Sequence, residues 1–360
     1  TLTLIAGTEQ QAPDGHADAS GRLLLGTRYQ GQGQLDFAWK LDSREFAGSL
    51  KTRSDGSTAQ ASLTLTKPMT ANIHLQVKQQ KTYPWQVDLT LPCGDAAPLL
   101  GEGDIRTLAA DLHASGTRRD ARLEGTLHLN DWPIGIRPLE LTLGPDDETV
   151  QIRTLKLVSE RVPGSLQASG EIALDTSPAS ARVDMSWQDV LLPAELAGQE
   201  LATQGHLKAH GSSDDYLATG EIHVGPPGRL ADLRLDIRGN QQRLDIRSLA
   251  LKQPQGNAKV AGTVTFQPAL RWDVQAEGKQ FDPGQLLAGW DGALDFNVSS
   301  RGRHAQALDA ALTVHTLDGR LRQRPVSGEG KLHLSAERGL DGKLKLAMGQ
   351  RHVNGRADTG

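Results

Sequence analysis

The sequence predicts an all-β fold, an elongated and repetitive sheet bent into an open trough, with only a few short helices. Apolar and polar residues alternate in many short stretches, turn-forming residues separate those stretches, and two long phrases nearly repeat each other. The composition fits this prediction, because 39 of the 360 residues are glycine, 17 are proline and only 4% are aromatic. Such a chain is rich in turns and poor in the bulky side chains that fill deep cores.

The alternation of apolar and polar residues is the main signal for strands. Successive side chains of a β-strand point to opposite faces, so this spacing places the apolar set on one side of the sheet. The stretches lie at residues 61–66, 72–77, 85–91, 122–129, 181–187, 220–224, 232–237, 270–276, 293–298, 311–316 and 330–335. Turn-forming combinations of glycine, proline, aspartate and asparagine occur at 54–56, 143–146, 225–228, 239–240 and 318–319. Strands at this spacing, divided by such turns, indicate an all-β architecture.

Helical patterns are few and short. Residues 104–114, 192–201 and 282–290 have apolar spacing that would give about two helical turns each. The last of these begins with Asp282 as an N-cap residue and Pro283 at the first helical position, a combination typical of helix starts. We therefore expect three short helices between the strands.

Two phrases of the sequence are nearly the same. Residues 152–174 read IRTLKLVSERVPGSLQASGEIAL, and residues 246–266 read IRSLALKQPQGNAKVAGTVTF. Repetition at a long, fixed period indicates a one-dimensional stack in which each unit buries its apolar side against its neighbours. We predict a single elongated body over residues 1–360. Its repeat units run roughly over 60–150, 151–245 and 246–340, with the start of another at 341–360.

The residue types that usually carry chemistry are scattered. The net charge is −4 with both signs interspersed, which gives no broad basic surface and predicts no nucleic-acid partner. The single cysteine, Cys93, cannot form an internal disulfide, and no histidine or cysteine spacing suits a metal. The sequence contains no nucleophile elbow and no complete glycine-rich phosphate loop. We expect no enzymatic activity, no cofactor and no metal.

Some polar side chains alternate with the apolar set and are expected on the opposite face of the sheet. They include six histidines: His74, His113, His128, His223, His315 and His333. Arg320, Arg322 and Arg324 also alternate, just before Pro325. These arginines would suit anionic headgroups, although a solvated strand face is the simpler interpretation.

The apolar residues of the alternating stretches are the candidate functional residues. One interpretation is that two sheets close on them as the core of a sandwich. The other is that one long sheet leaves them on an open inner face, and an apolar surface of that extent requires a ligand. Acyl chains suit it, because each buried CH₂ group contributes about 0.8 kcal/mol without a specific polar contact. The candidates that would line this groove are Leu166, Ile172, Leu174, Val183, Met185, Trp187, Leu233, Leu235, Ile237, Val260, Val264, Phe266, Trp272, Val274, Leu294, Phe296 and Val298.

Several phrases of the sequence resemble the TamB family, which is part of the AsmA-like group. They are residues 152–174, the stretch QLLAGWDGALDFNVSSRG at 285–302, the stretch LDGRLRQRPVSGEGKLHL at 317–334, and the closing LKLAMGQRHVNGRADTG. The resemblance covers most of residues 100–360. It implies a β-taco, which is a curved and elongated sheet with a hydrophobic groove, located in the periplasm of a Gram-negative bacterium.

The resemblance also implies partners. It leads us to expect phospholipid acyl chains in the groove, an inner-membrane anchor at the far N-terminus of the full-length protein, and an outer-membrane TamA-type partner that meets a C-terminal region. Both terminal regions are expected to lie outside this chain, which resembles an internal periplasmic piece.

Two functions of different classes follow from these expectations. The first is a lipid conduit, a periplasmic bridge whose groove carries phospholipid acyl chains between the inner and outer membranes and supports outer-membrane lipid homeostasis. The second is an assembly scaffold for outer-membrane proteins and autotransporters, which works with TamA by sheltering nascent strands. We favour the conduit, because an apolar stripe of this length exceeds what strand pairing at an edge needs. A purely structural stalk is a third interpretation, but such solenoids usually have short, regular coils and a closed core.

Overall fold

The computed structural model of the chain describes residues 2–3, 15–24, 30–41, 44–100, 105–130, 132–305, 307–336, 339–349 and 351–357. The chain divides into two compact units, Thr1–Arg161 and Val162–Gly360. In each unit, strands pair antiparallel with their neighbours in chain order. Among the described residues, the first and last strands of a unit do not pair with each other, so each unit is an open sheet.

Unit 1 contains strands β1 to β11 and one short helix. The strands are β1 Leu2–Thr3, β2 Gly15–Leu24, β3 Gln30–Leu41, β4 Arg44–Asp55, β5 Thr58–Lys67, β6 Ala71–Lys78, β7 Trp85–Asp95, β8 Thr107–Gly116, β9 Asp120–Leu129, β10 Trp132–Leu143 and β11 Thr149–Val158. Helix α1, Ala97–Leu100, lies between β7 and β8. In the turn between β4 and β5, hydrogen bonds from the Ser57 hydroxyl and from the backbone amides of Thr58 and Ser57 lower the pKa of Asp55 to about 2.

Unit 2 contains strands β12 to β24 and two short helical segments. The strands are β12 Ser165–Ala173, β13 Ser180–Leu192, β14 Leu201–Ser212, β15 Asp215–Gly225, β16 Ala231–Gly239, β17 Arg243–Lys252, β18 Asn257–Thr265, β19 Leu270–Phe281, β20 Gly292–His304, β21 Leu308–Leu321, β22 Arg324–Ser335, β23 Gly339–Met348 and β24 Arg351–Ala357. Helix α2, Ala194–Ala197, lies between β13 and β14, and a 3₁₀ turn, Pro283–Gln285, lies between β19 and β20.

The strand predictions are confirmed, since every alternating stretch lies inside a strand. Four of the five turn predictions fall at strand ends, but the one at 318–319 is wrong, because these residues lie inside β21. Gly319 has a φ of 133° there and opposes Leu294 of β20. Glycine at this position therefore accommodates a distorted strand backbone and does not mark a reversal of the chain.

Two of the three helix predictions are confirmed as shorter segments. Helix α2 falls within 192–201, and the 3₁₀ turn falls within 282–290. Asp282 caps that turn as predicted, because its side chain accepts a hydrogen bond from Gly284 N at 2.9 Å. Helix α1 was not anticipated from the sequence.

The prediction of a helix at 104–114 is wrong, because β8 occupies most of this segment. Its leucines and alanines also alternate with period two, and in the strand Leu108 opposes Leu129 and Ala110 opposes Leu127. β8 pairs with β7 on one side and β9 on the other. Tertiary pairing of this kind outweighs a local helix preference, which is only a weak determinant of structure.

A short helical segment follows every sixth strand along the chain: α1 follows β7, α2 follows β13, and the 3₁₀ turn follows β19. The single elongated body and the repeat boundaries proposed from the sequence stay predictions.

The described residues contain little dry core. No large side chain among them is fully buried. The buried apolar residues are Ala17, Met69, Ala71, Ala96, Ala110, Ala218, Ala231 and Leu251. A sandwich closed by a second sheet would bury the large aliphatic side chains of both inner faces. The closed-sandwich interpretation is therefore excluded for the part of the chain that the structure describes, and the open all-β fold is confirmed.

Candidate functional site

The apolar side chains of unit 2 form one continuous face of its sheet. Leu166 of β12 opposes Trp187 of β13, and Met185 of β13 opposes Leu207 of β14. The register repeats this arrangement from strand to strand through β23. β-Bulges shift the count of residues in several strands, but the apolar residues on both sides of each bulge stay on the same side of the sheet. We call this surface the apolar face.

Most of the candidate residues lie together on the apolar face. Those that the register places there are Leu166, Ile172, Val183, Met185, Trp187, Leu233, Leu235, Ile237, Val260, Val264, Trp272, Val274, Leu294, Phe296 and Val298. Leu174 and Phe266 instead follow the last residues of β12 and β18, where they are 53% and 48% exposed. Lipid contact by any of these residues stays a prediction.

The apolar pattern extends beyond the candidate residues. In unit 2, Leu312 of β21 opposes Leu332 of β22. Unit 1 has an apolar face of its own, in which Ile73 opposes Leu63 on one side and Leu89 on the other. The alternation in β5, β6 and β7 already contained the signal for these residues, which sequence reasoning left out of the candidate set.

The large side chains of the apolar face are half-buried rather than buried. Leu312, Leu334 and Leu346 keep 38%, 40% and 37% of their surface exposed. Their contacts come from side neighbours within the sheet, and the described residues provide no second layer above them. The face is therefore an open apolar surface rather than a core.

Three large aromatic residues of the apolar face stand opposite glycines in a neighbouring strand. The pairs are Trp187 with Gly205, Trp272 with Gly302 and Phe296 with Gly278. A Cβ atom added to Gly205 would lie 2.9 Å from Cζ2 of Trp187, so the indole occupies the space above the glycine. Rings that lie over a neighbouring glycine extend along the sheet instead of filling the space above it.

The two indole rings are also held by hydrogen bonds. Trp187 Nε1 donates to Thr203 Oγ1 at 3.1 Å, and Trp272 Nε1 donates to Ser300 Oγ at 2.9 Å. In both cases the hydroxyl group comes two residues before the glycine that the ring covers. These bonds fix the ring orientation and provide a partner for each N–H group on an apolar surface. The two indole rings are thus held close to the sheet.

One rim of the unit 2 sheet is joined by contacts between connections that are far apart in the chain. Residues 282–291, between β19 and β20, contact the β13–β14 and β15–β16 connections. Gln199 Oε1 accepts a hydrogen bond from Ala288 N at 2.9 Å. Arg229 Nη2 lies 3.1 Å from Asp291 Oδ1. We call this edge, formed by the connections that follow the odd-numbered strands from β13 to β21, the tied rim.

The tied rim requires the unit 2 sheet to curve. Six strands, β14 to β19, separate Gln199 from residues 282–291. In a flat sheet this separation would be about 29 Å, at about 4.8 Å for each strand. Direct hydrogen bonds across it form because the sheet bends, as twisted and coiled sheets do. The bend makes unit 2 an open trough.

Gln253, in the connection between β17 and β18, is the buried polar residue of the tied rim and is only 6% exposed. Its Nε2 donates to the carbonyl oxygen of Asp282, and its Oε1 accepts from Asp282 N, both at 2.8 Å. The Asp282 side chain in turn accepts from Gly284 N and Gly292 N. A single glutamine thus satisfies both backbone groups of the residue that organises the long connection.

Replacement of Gln253 with alanine is expected to lower the free energy of unfolding by about 2 kcal/mol, because both backbone groups of Asp282 lose their partners. Urea unfolding followed by circular dichroism measures this change. The matched control is Gln255→Ala in the same turn, where the side chain is exposed and the expected change stays within about 0.5 kcal/mol. Equal effects of the two substitutions would show that the glutamine does not hold the rim.

The opposite face of unit 2 is polar and carries ion pairs between neighbouring strands. Arg238 Nε and Nη2 donate to the two carboxylate oxygens of Asp215 at 2.7 and 2.6 Å. This pairing lowers the pKa of Asp215 and raises the pKa of Arg238. His333, predicted for this face, lies 2.8 Å from Asp309 and lowers the pKa of that carboxyl group. The two faces of the sheet therefore differ sharply in polarity.

The arginines that alternate before Pro325 do not share one side of a strand. Arg320 belongs to β21 and Arg324 to β22, whereas Arg322 lies in the turn between these strands. The guanidinium group of Arg322 stacks over the Trp290 ring, 5.6 Å from its centroid, as part of the tied rim. The structure thus contradicts a shared headgroup-binding role for all three.

An open, curved antiparallel sheet with one uncovered apolar face and one charged face defines a class of trough-shaped β-proteins. The family model described as TamB, N-terminal domain, matches residues 158–359. The chain belongs to the TamB family. No solved structure matches it.

Membership of this family suggests a role in outer-membrane biogenesis or lipid transport. It also implies a location in the cell envelope and association with membranes and a TamA-type partner. None of the helices in the described part of the chain has the length and apolar character needed to cross a membrane.

Proposed function

We propose that this chain carries phospholipid acyl chains along its apolar face. It would do so within a periplasmic bridge, anchored in the inner membrane, that reaches the outer membrane and supports outer-membrane lipid homeostasis. The observation behind the proposal is that aliphatic side chains follow one another across the strands of unit 2 while remaining partly exposed. Contiguous apolar surfaces larger than a few hundred Å² rarely stay bare in water.

The chemistry of the apolar face suits a long aliphatic ligand. In the described strands β12 to β20, the register places no Asp, Glu, Lys or Arg on this face. An acyl chain lying on it would gain about 0.8 kcal/mol for each buried CH₂ group. Because this gain needs no directional contact, the same chain can occupy many positions along the face, as transport requires.

The pairing of the strands favours a conduit over an assembly scaffold. A scaffold that shelters nascent strands by edge addition needs an unpaired strand edge. Each strand from β13 to β23 is already paired on both sides, so unpaired edges are confined to the ends of the sheet. The apolar face, in contrast, is accessible along the sheet.

The proposal predicts that the purified chain retains phospholipid in at least equimolar amount. Mass spectrometry of organic extracts of the folded chain measures this content, and an unrelated soluble β-protein prepared from the same cells is the control. An extract without phospholipid, together with binding of an unfolded outer-membrane porin, would favour the scaffold and contradict the conduit.

A further inference from the structure

The rim of unit 2 opposite the tied rim carries two arginines of like charge side by side. We call this edge, formed by the connections that follow β18 and β20, the open rim. Arg271, near the start of β19, directly opposes Arg303, near the end of β20. Two like charges facing each other across neighbouring strands destabilise the pairing. An anion between the two guanidinium groups would relieve this repulsion.

The acidic residues near this pair compensate only one of its two charges. Arg303 lies 3.2 Å from Asp309, but that carboxylate is shared with His333. Asp273 is engaged by Arg301, whose Nη2 lies 2.5 Å from its Oδ2. Arg271 has neither an ion pair nor a side-chain hydrogen bond with any described residue. The cluster therefore keeps an excess of positive charge at Arg271.

Two adjoining hollows give a ligand access to the arginine pair. The first hollow, of about 600 Å³, lies on the polar face and is lined by Arg271, Arg303 and the threonines Thr263 and Thr265, among others. A second hollow, of about 460 Å³, shares both arginines and reaches the open rim. The residues of the connections that line this second hollow are Ala269, Ala305 and Ala307. Small uncharged residues thus separate the arginines from the other side of the sheet.

The apolar face begins one residue away from the arginines. Leu270 precedes Arg271 in β19, and it is 40% exposed. Leu308, at the start of β21, is 37% exposed, and Phe266, in the connection before β19, is 48% exposed. Because neighbouring residues of a strand point to opposite faces, the open rim has guanidinium groups on one side and exposed apolar side chains on the other. A ligand with an anionic head and aliphatic tails matches both sides.

We propose that Arg271 and Arg303 bind the phosphate group of a phospholipid headgroup at the open rim, while its acyl chains cross the alanine-lined edge onto the apolar face. This inference rests on the proposed function, which it extends to the headgroup. Guanidinium groups donate two parallel hydrogen bonds to phosphate oxygens, and a bridging phosphate would relieve the repulsion between the two arginines. The arginines of the tied rim lack this arrangement, because Arg229 pairs with Asp291 and Arg322 stacks on Trp290.

The test compares the binding of two soluble short-chain lipids by isothermal titration calorimetry. Dioctanoyl phosphatidylglycerol carries the phosphate, and dioctanoylglycerol has the same tails without it. The unaltered chain is expected to bind the phospholipid about tenfold more tightly, because exposed charge-assisted hydrogen bonds contribute on this order. The double substitution Arg271→Ala and Arg303→Ala is expected to remove this tenfold difference and to leave dioctanoylglycerol binding unchanged. Raising the salt concentration should reduce the difference in the unaltered chain.

Arg234→Ala is the matched control, since this arginine is also exposed on the polar face and pairs with Glu221 at 3.1 Å. It should keep the full tenfold preference. If the double variant keeps the preference as well, the arginine pair is not the site, although the conduit still stands. If the unaltered chain binds neither lipid, the proposed function itself fails. Tight binding of inorganic phosphate that is lost in the double variant would show that the arginine pair binds free phosphate rather than a phospholipid headgroup, and would contradict the proposal.

Discussion

Replacing Met185 with aspartate is expected to leave the chain folded and to remove most of its bound phospholipid. Met185 lies on the apolar face between Ala168 and Leu207. A carboxylate there would stand where acyl chains pass, and a charge held against acyl chains without water costs several kcal/mol. In the lipid-free chain the open face keeps the carboxylate hydrated, so the free energy of unfolding should fall by less than about 2 kcal/mol. Circular dichroism measures folding, and mass spectrometry of extracts measures lipid content.

The control for this substitution is Ser186→Asp, which places the same charge one residue further along the same strand. Ser186 is exposed on the polar face, between Gln167 and His206. The Ser186→Asp variant should keep both its stability and its lipid, and in cells that depend on the protein it should restore membrane integrity where Met185→Asp does not. Unfolding of Met185→Asp would mean that the face is covered. A folded Met185→Asp chain with its full lipid content would show that acyl chains do not bind to the apolar face.

The faces of the strands could be predicted from the sequence because side-chain alternation is a local property of any extended chain. Val183 and Met185 share a face whatever their strand pairs with, so alternation alone places the candidate residues of each strand on one side of the sheet. The open character of that face also followed from composition, since few bulky residues were available to cover it. The prediction of a helix at 104–114 was wrong because the alanines and leucines there fit both the helical spacing and the two-residue spacing of a strand. Only the pairing with β7 and β9, which is not a local property, selects the strand.

The features that depend on register and on distant contacts could not be predicted. Arg271 and Arg303 oppose each other only because β19 and β20 pair in one particular register. Gln253 and Asp282 meet across the tied rim through the bend of the sheet. Neither pair has a sequence spacing that marks it, because the long β19–β20 connection and the β-bulges change the count between strands.

Replacing Gly302 with valine is expected to lower the free energy of unfolding by about 1–3 kcal/mol, although valine usually favours strands over glycine. Gly302 opposes Trp272, and a Cβ atom at this position would collide with the indole ring. The ring would have to rotate away from the sheet, lose its hydrogen bond to Ser300 and project into the trough. We therefore expect the folded fraction to carry less phospholipid as well. Urea unfolding and lipid content measure the two effects.

A double-mutant cycle with Trp272→Ala separates the collision from other effects of the valine. The backbone of Gly302 does not have a positive φ, so valine can adopt it without strain. Once the indole is removed, Gly302→Val should be neutral or should stabilise the chain by up to about 1 kcal/mol, as expected when a strand residue replaces glycine. The two effects of the valine thus differ by a coupling of about 1–4 kcal/mol between the two positions. The same destabilisation in both backgrounds would show that the indole does not lie over the glycine. The Trp272 ring would then project from the sheet and occupy space in the trough that acyl chains need.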